Sequence, residues 1–170
     1  MDLIYAIFSR NFIVALAIMV VMGAVYELLQ KSSAQTASGW ESEMATNIDG
    51  FFQASLTARS FSGLNNSVAI KANLVPKGML NGDGATLKGP WANSYVTLSP
   101  TSSGMGFIST WVDVPSDACA TFARSQSANM ISINGTTIDP TNNAAAAGIA
   151  MACDAGTSSS TATIAFEHDS

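Results

Sequence analysis

The chain has 170 residues, of which 48% are hydrophobic and only 11% charged, and its formal net charge is -5. An average soluble domain has about 25% charged residues, so uncharged Ser, Thr, Asn, Gly and Ala must cover much of this surface. Binding to a nucleic-acid backbone needs clustered Lys and Arg, and a metal or catalytic centre needs convergent ionisable groups. With seven Lys and Arg, one histidine (His168) and no catalytic motif, the composition argues against a nucleic-acid binder, a metal or cofactor site, and an enzyme.

The N-terminal region is an apolar segment whose residues 12–26 carry no charge. As a helix these residues span roughly 22 Å, less than the bilayer core of about 30 Å, and extending the helix back to Leu3 brings Arg10 inside. Three interpretations are open. The segment is a secretory signal cleaved at Ser32-Ser33-Ala34, a single-pass membrane anchor, or a helix that leaves the membrane and packs against copies of itself.

An amphipathic pattern follows the apolar segment. Apolar residues recur at every fourth position, which predicts a helix packed on its own domain core through Trp40, Met44, Ile48, Phe52 and Leu56. The acids in this stretch, Glu41, Glu43 and Asp49, are predicted to lie off that stripe.

Both patterns join into one long predicted helix. Residues 3–59 contain no proline, and Gly23, Gly39 and Gly50 are the weak points of the helical pattern. A helix of this length would measure roughly 80 Å. Because its first half is apolar on every side, that half must lie in lipid or among other helices, which favours the third interpretation.

The remaining residues predict a small sheet domain. Residues 60–90 are predicted to be mostly loop, with a turn at 81–84, and strands are predicted at 94–99, 106–114 and 161–166. A short helix follows Pro115 with Ser116 as its N-cap, and Asn134-Gly135 predicts a hairpin over 130–138. Residues 143–153 fit either a helix or a loop. The layout is α+β, a long helix packed on an antiparallel sheet, divided as 1–30 (anchor or filament core), 31–59 (amphipathic continuation) and 60–170 (globular domain).

The two cysteines, Cys119 and Cys153, allow two interpretations. They are reduced core thiols, or they form one disulfide that bounds the region 119–153. The Ser- and Thr-rich, Lys-poor composition of an exported domain favours the disulfide, which would stabilise the fold by about 3 to 4 kcal/mol.

In their order and spacing, these features resemble the type IV pilin family, and more closely its type IVb class. The resemblance covers nearly the whole chain. It rests on the helix from Met1 onward and on Leu74-Val-Pro76, Met79-Leu80, Gly89-Pro90-Trp91, the strand from Phe107, Val114 to Phe122 with Cys119, and Cys153.

The resemblance implies a structural role. A prepilin peptidase removes a short basic leader, so the mature chain begins at or near Met1, which is often methylated; alternatively, Met1 is the initiator. The subunit waits in the inner membrane until an assembly machinery stacks it with copies of itself into an extracellular pilus, in which the region 119–153 makes subunit contacts. The alternatives are a minor pilin, a secretion-system pseudopilin, or a signal-anchored periplasmic binding domain.

The sequence departs from the family pattern at its N-terminus. The family has a glutamate at the fifth mature position, where this chain has Tyr5. This chain also lacks the proline that the family frequently has near position 22, so Gly23 is the weak point of the helix there. One hypothesis is that Asp2 instead meets Arg10 or the terminal amine of an adjacent subunit. The alternative is that both charges lie at the bilayer surface. The predicted filament-core residues are Met1, Asp2, Tyr5, Arg10, Phe12 and Gly23.

Overall fold

The computed structural model describes Ile18, Val25 and residues 33–53, 60–154 and 161–169. The chain divides into two compact units, Met1–Ser33 and Ala34–Ser170. In the first unit, Ile18 and Val25 are helical and about half exposed. No helix within the described residues has both the length and the apolar character needed to cross a membrane. The described residues do not include the filament-core candidates Met1, Asp2, Tyr5, Arg10, Phe12 and Gly23, or the packing candidate Leu56.

The second unit begins with a helix, α1, over residues 34–52. It continues through Gly39 and Gly50, since isolated glycines weaken a helix without ending it. Its buried face repeats at alternating intervals of three and four residues and consists of Ala34, Ala37, Glu41, Met44 and Ile48.

This face differs in part from the predicted stripe. Met44 and Ile48 are fully buried, whereas Trp40 and Phe52 are only partly buried against the core. The prediction that Glu41 lies off the stripe is wrong, because its side chain is fully buried. The local pattern assigned the acid to solvent, but α1 turns it toward the sheet.

A six-stranded antiparallel sheet forms the body of the unit, in the order β1-β2-β3-β6-β4-β5. The last strand in sequence therefore lies between β3 and β4. The strands are β1 (Leu87–Lys88), β2 (Tyr95–Pro100), β3 (Gly106–Pro115), β4 (Met130–Ile133), β5 (Thr136–Ile138) and β6 (Thr161–Asp169). The packing of α1 on an antiparallel sheet confirms the α+β fold class.

The segment predicted as mostly loop, 60–90, contains a short helix, α2 (Asn66–Lys71), and a 3-10 helix (Lys77–Met79). The side chain of Asn65 caps α2 by accepting a hydrogen bond from the Val68 N–H at 3.0 Å. Asn is among the preferred N-cap residues, because its oxygen satisfies a backbone donor left free at a helix start. Residues 66–71, which lie within the segment predicted as mostly loop, are therefore helical.

The turn that follows is organised by Asp83. Hydrogen bonds from the Thr86 hydroxyl and from the backbone N–H groups of Ala85 and Thr86 stabilise its carboxylate. They lower the pKa of Asp83 to about 2. In the distal half of the chain, the hydroxyl and the N–H of Thr141 donate hydrogen bonds to the Asp139 carboxylate. These bonds lower the pKa of Asp139.

The predicted hairpin around Asn134-Gly135 is confirmed by the pairing of β4 with β5. Both turn residues have positive φ, 50° and 83°, as a type I′ turn requires. Asn134 also ties the turn to its neighbours, because its side chain accepts from the Thr163 N–H at 3.0 Å and donates to the Ala152 carbonyl at 3.2 Å.

Two further helices lie in the distal half. Helix α3 (Ser116–Arg124) has Pro115 as its N-cap, so the prediction that Ser116 is the N-cap is wrong: Ser116 is the first helical residue. Pro115 ends β3 with its φ already restrained, and the chain turns directly into the helix. Residues 145–154, which fitted a helix or a loop, form α4 (Ala145–Asp154).

The core between α3 and the sheet is aromatic. The Phe122 ring of α3 packs against Trp111 at 4.9 Å between ring centroids, against Phe166 at 5.2 Å and against Trp91 at 5.6 Å. All three contacts are edge-to-face, an arrangement that adds to the stability gained from burial. This cluster joins β3, β6 and α3 into one body.

Candidate functional site

The docking of α1 on the sheet centres on one buried acid. Glu41 is 0% exposed and stands in the middle of the helix's buried face. Its carboxylate accepts hydrogen bonds from Ser109 Oγ at 2.6 Å and from Trp111 Nε1 at 2.8 Å. His168 Nε2 lies 2.9 Å from Glu41 Oε1 and donates in the tautomer that carries its proton on Nε2. One carboxylate thus accepts hydrogen bonds from side chains of two strands, β3 and β6.

The strands bring these donors together through their periodicity and pairing. Ser109 and Trp111 are two residues apart on β3, so their side chains emerge on the same face of the sheet. On the adjacent strand β6, His168 pairs with Phe107, and its ring stacks on the Phe107 ring at 4.8 Å between centroids. The imidazole is therefore held beside the carboxylate by the sheet register.

Burial makes these hydrogen bonds necessary. An unpaired carboxylate inside a protein costs several kcal/mol, whereas hydrogen bonds to an ionised group are shorter and about twice as strong as neutral ones. His168 is 16% exposed at its side chain and lines an open cleft of about 480 Å³, together with Asp49, Asn129 and Asp169. Glu41 lies deeper than His168, and its side chain is not exposed to solvent.

Polar contacts of α1 flank the carboxylate on both sides. Gln126 follows α3, and its amide donates to Ser38 Oγ at 2.9 Å and accepts from Ser42 Oγ at 3.4 Å. Further along α1, the Asn47 amide donates to the Leu74 carbonyl at 3.3 Å. These contacts are part-buried, so water can replace them at lower cost than at Glu41.

The sequence analysis missed this cluster. An acid within an amphipathic helix is assigned to solvent by default, and its three donors lie 68, 70 and 127 residues away in the sequence. The one available signal is the spacing of Ala34, Ala37, Met44 and Ile48, which leaves Glu41 as the missing middle member of a three-four repeat.

Replacing Trp111 with Phe should lower the free energy of unfolding by about 1.5 to 3 kcal/mol more than replacing Trp91 with Phe. Both indoles are buried and pack in the same aromatic cluster. Only Trp111 donates to a carboxylate, since Trp91 Nε1 has no hydrogen-bond partner among the described residues. Denaturant unfolding of the full chain in detergent micelles, followed by near-UV circular dichroism, measures the free energy of unfolding of both variants. Equal losses would contradict the importance of the bond to Glu41.

The cysteines define a second feature. Cys119 of α3 and Cys153 of α4 form a disulfide, with a distance of 5.8 Å between their Cα atoms. Both are buried, so the bond fixes the inner face of α4 against α3.

The outer face of α4 carries no charge before Asp154. Its exposed side chains are small or apolar: Ala146, Ala147, Ala150 and Met151. Met151 is 67% exposed. A surface helix usually presents charged or polar residues to water, so an uncharged outer face suits contact with another protein surface.

Among the described residues, no group of three or more His, Cys, Asp or Glu side chains could hold a metal ion. The buried acid is surrounded by donors that hold it in place. The features that stand out are a helix fixed on a sheet and a disulfide-bounded region with an uncharged helix face.

Comparison with known proteins agrees with this arrangement. The family model described as PilS N terminal matches residues 33–168, most of the chain. A crystal structure described as that of the type IV b pilin from Salmonella typhi matches with a TM-score of 0.60 and 24% sequence identity, over 80% of this chain and 99% of that one. No curated protein matches the chain. The chain therefore belongs to the PilS family and has the fold of a type IVb pilin.

Proposed function

We propose that the chain is the major structural subunit of a type IVb pilus, an extracellular filament built from copies of this chain. The observation that carries the proposal is the docking of α1 in a member of the PilS family. One face of α1 is buried on its own sheet, and the sequence before it contains 15 uncharged residues, 12–26. Such a segment needs apolar surroundings, which copies of itself supply in a filament core.

In this proposal the apolar segment serves twice. Before assembly it holds the subunit in the inner membrane, where a prepilin peptidase processes it and the assembly machinery extracts it. In the filament the same surface meets other helices. Because lipid and helices are similarly apolar, close packing rather than hydrophobic burial drives that exchange.

The globular unit supplies the shell. Its contacts with neighbouring subunits are proposed to use the region bounded by Cys119 and Cys153, and within it the uncharged outer face of α4. The disulfide protects that region outside the cell, where thiols are not kept reduced.

Deleting the gene should remove surface filaments, and restoring it should return them. In the sheared surface fraction of complemented cells, this chain should be the dominant protein, and electron micrographs should show filaments that antibodies to the chain decorate along their length. A chain present only in trace amounts at filament tips would contradict a major subunit and support a minor pilin. A periplasmic monomer with no filament would contradict polymerisation altogether.

A further inference from the structure

The buried face of α1 is nearly repetitive, which leaves its axial position on the sheet poorly specified by apolar packing. Buried residues recur at intervals of three, four, three and four, and four of the five are Ala, Met or Ile. Sliding the helix by one turn would bring Ala37, Met44 and Ile48 into positions that other members of the same face now occupy. In coiled coils with the same spacing, a single polar residue in the stripe selects one register.

Glu41 is that polar residue here. In the observed position its two oxygens meet all three donors, Ser109, Trp111 and His168. A slip of one turn, about 5.4 Å, would move the carboxylate beyond hydrogen-bond reach of those donors. It would also leave the buried Ser109 and Trp111 donors without an acceptor. Every slipped register therefore carries an unpaired charge and unpaired donors at once.

From this geometry we propose that Glu41 is a positioning residue that selects one axial register of α1 on the sheet. The consequence rests on the proposed filament: because a fibre repeats one subunit shape, a mixture of registers would place shell domains at different heights on the core helices. Glu41 is thus required for uniform assembly in addition to its contribution to the stability of the subunit. Its removal alone leaves the buried Ser109 and Trp111 donors without an acceptor, so stability and register must be measured separately.

A neighbouring contact reports the register independently of the acid. The indole of Trp40 covers Gly78 so closely that a Cβ built on Gly78 would lie 2.5 Å from Trp40 Cζ2. The Gly78 α-protons therefore lie in the ring current of Trp40 and should give one ring-current-shifted signal in the NMR spectrum of the full chain in micelles. A helix slipped by one turn would carry the ring away from Gly78.

The test compares Glu41→Met with Glu41→Gln, and with Glu43→Met as the control at an exposed acid on the same helix. For Glu41→Met we expect a folded chain with a lower melting temperature, because two buried donors lose their acceptor, and more than one Gly78 signal. On cells we expect at least a tenfold loss of filaments. Glu41→Gln keeps one acceptor oxygen and should show a single Gly78 signal, as should Glu43→Met, which should also assemble normally.

A single Gly78 signal at the wild-type position in Glu41→Met would show that packing alone sets the register and would overturn the proposal. If Glu41→Met does not fold, Glu41→Gln decides, since several Gly78 signals from that folded variant would contradict the proposed role of the acceptor. The NMR readout needs no filament, so a wild-type chain with one Gly78 signal and no pilus would refute the proposed function and leave this inference standing.

Discussion

Filaments should disappear when Ala147 on the outer face of α4 is replaced by Glu, while the subunit folds as before. Ala147 is exposed in the single chain and lies in the first turn of α4, where an acid is compatible with the helix dipole. The substitution therefore costs the subunit little. If this face meets a neighbouring subunit, however, each contact buries an unpaired carboxylate at several kcal/mol, repeated along the filament.

The measurement is the amount of the chain in the sheared surface fraction relative to the total amount in the cell. We expect at least a tenfold decrease for Ala147→Glu with an unchanged total. Ala92→Glu is the matched control, because Ala92 is also exposed and lies outside the region bounded by the cysteines. Normal filaments from Ala147→Glu, or an equal loss from Ala92→Glu, would show that the α4 face makes no special contact.

What could be predicted from this sequence was local. The Asn134-Gly135 hairpin follows from two residues that tolerate positive φ, and both have it. The helix 34–52 follows from apolar residues that recur at helical spacing in a stretch without proline. With only two cysteines, Cys119 and Cys153 had one possible pairing. In each case the determining residues are neighbours in the chain or have no competitors.

What could not be predicted depended on distant partners. Two local details also differ from the prediction: α2 lies in a segment predicted as mostly loop, and the N-cap of α3 is Pro115 rather than Ser116. The burial of Glu41 depends on His168, 127 residues later, and no local pattern encodes that contact. The insertion of β6 between β3 and β4 is likewise invisible to periodicity, which identifies a strand but not its neighbours.

The position of β6 has a large consequence for folding. It is the last strand to be made, yet it pairs with β3 on one side and β4 on the other. Its buried side chains are Ala162, Ile164 and Phe166, and it carries the His168 donor to Glu41. The sheet can therefore close, and α1 can dock fully, only after the C-terminal strand has entered.

Replacing Ala165 in β6 with Pro should lower the free energy of unfolding by about 3 to 5 kcal/mol. Ala165 pairs with Thr110 of β3 and Ser132 of β4, so its N–H belongs to the ladder with one neighbour or the other. Proline removes that donor and places its ring between two strands, which is why it is confined to sheet edges.

Thr137→Pro in the edge strand β5 is the matched control. Thr137 is exposed, and it pairs with Ser132 as the second pair from the two-residue turn, where the N–H points away from the partner strand. We expect it to cost less than about 1 kcal/mol. Near-UV circular dichroism of the full chain in micelles follows unfolding of the unit that contains Trp40, Trp91 and Trp111. If Ala165→Pro lowers the free energy of unfolding by no more than Thr137→Pro does, the prediction is wrong. The pairing of β6 on both sides would then contribute little to the stability of the core.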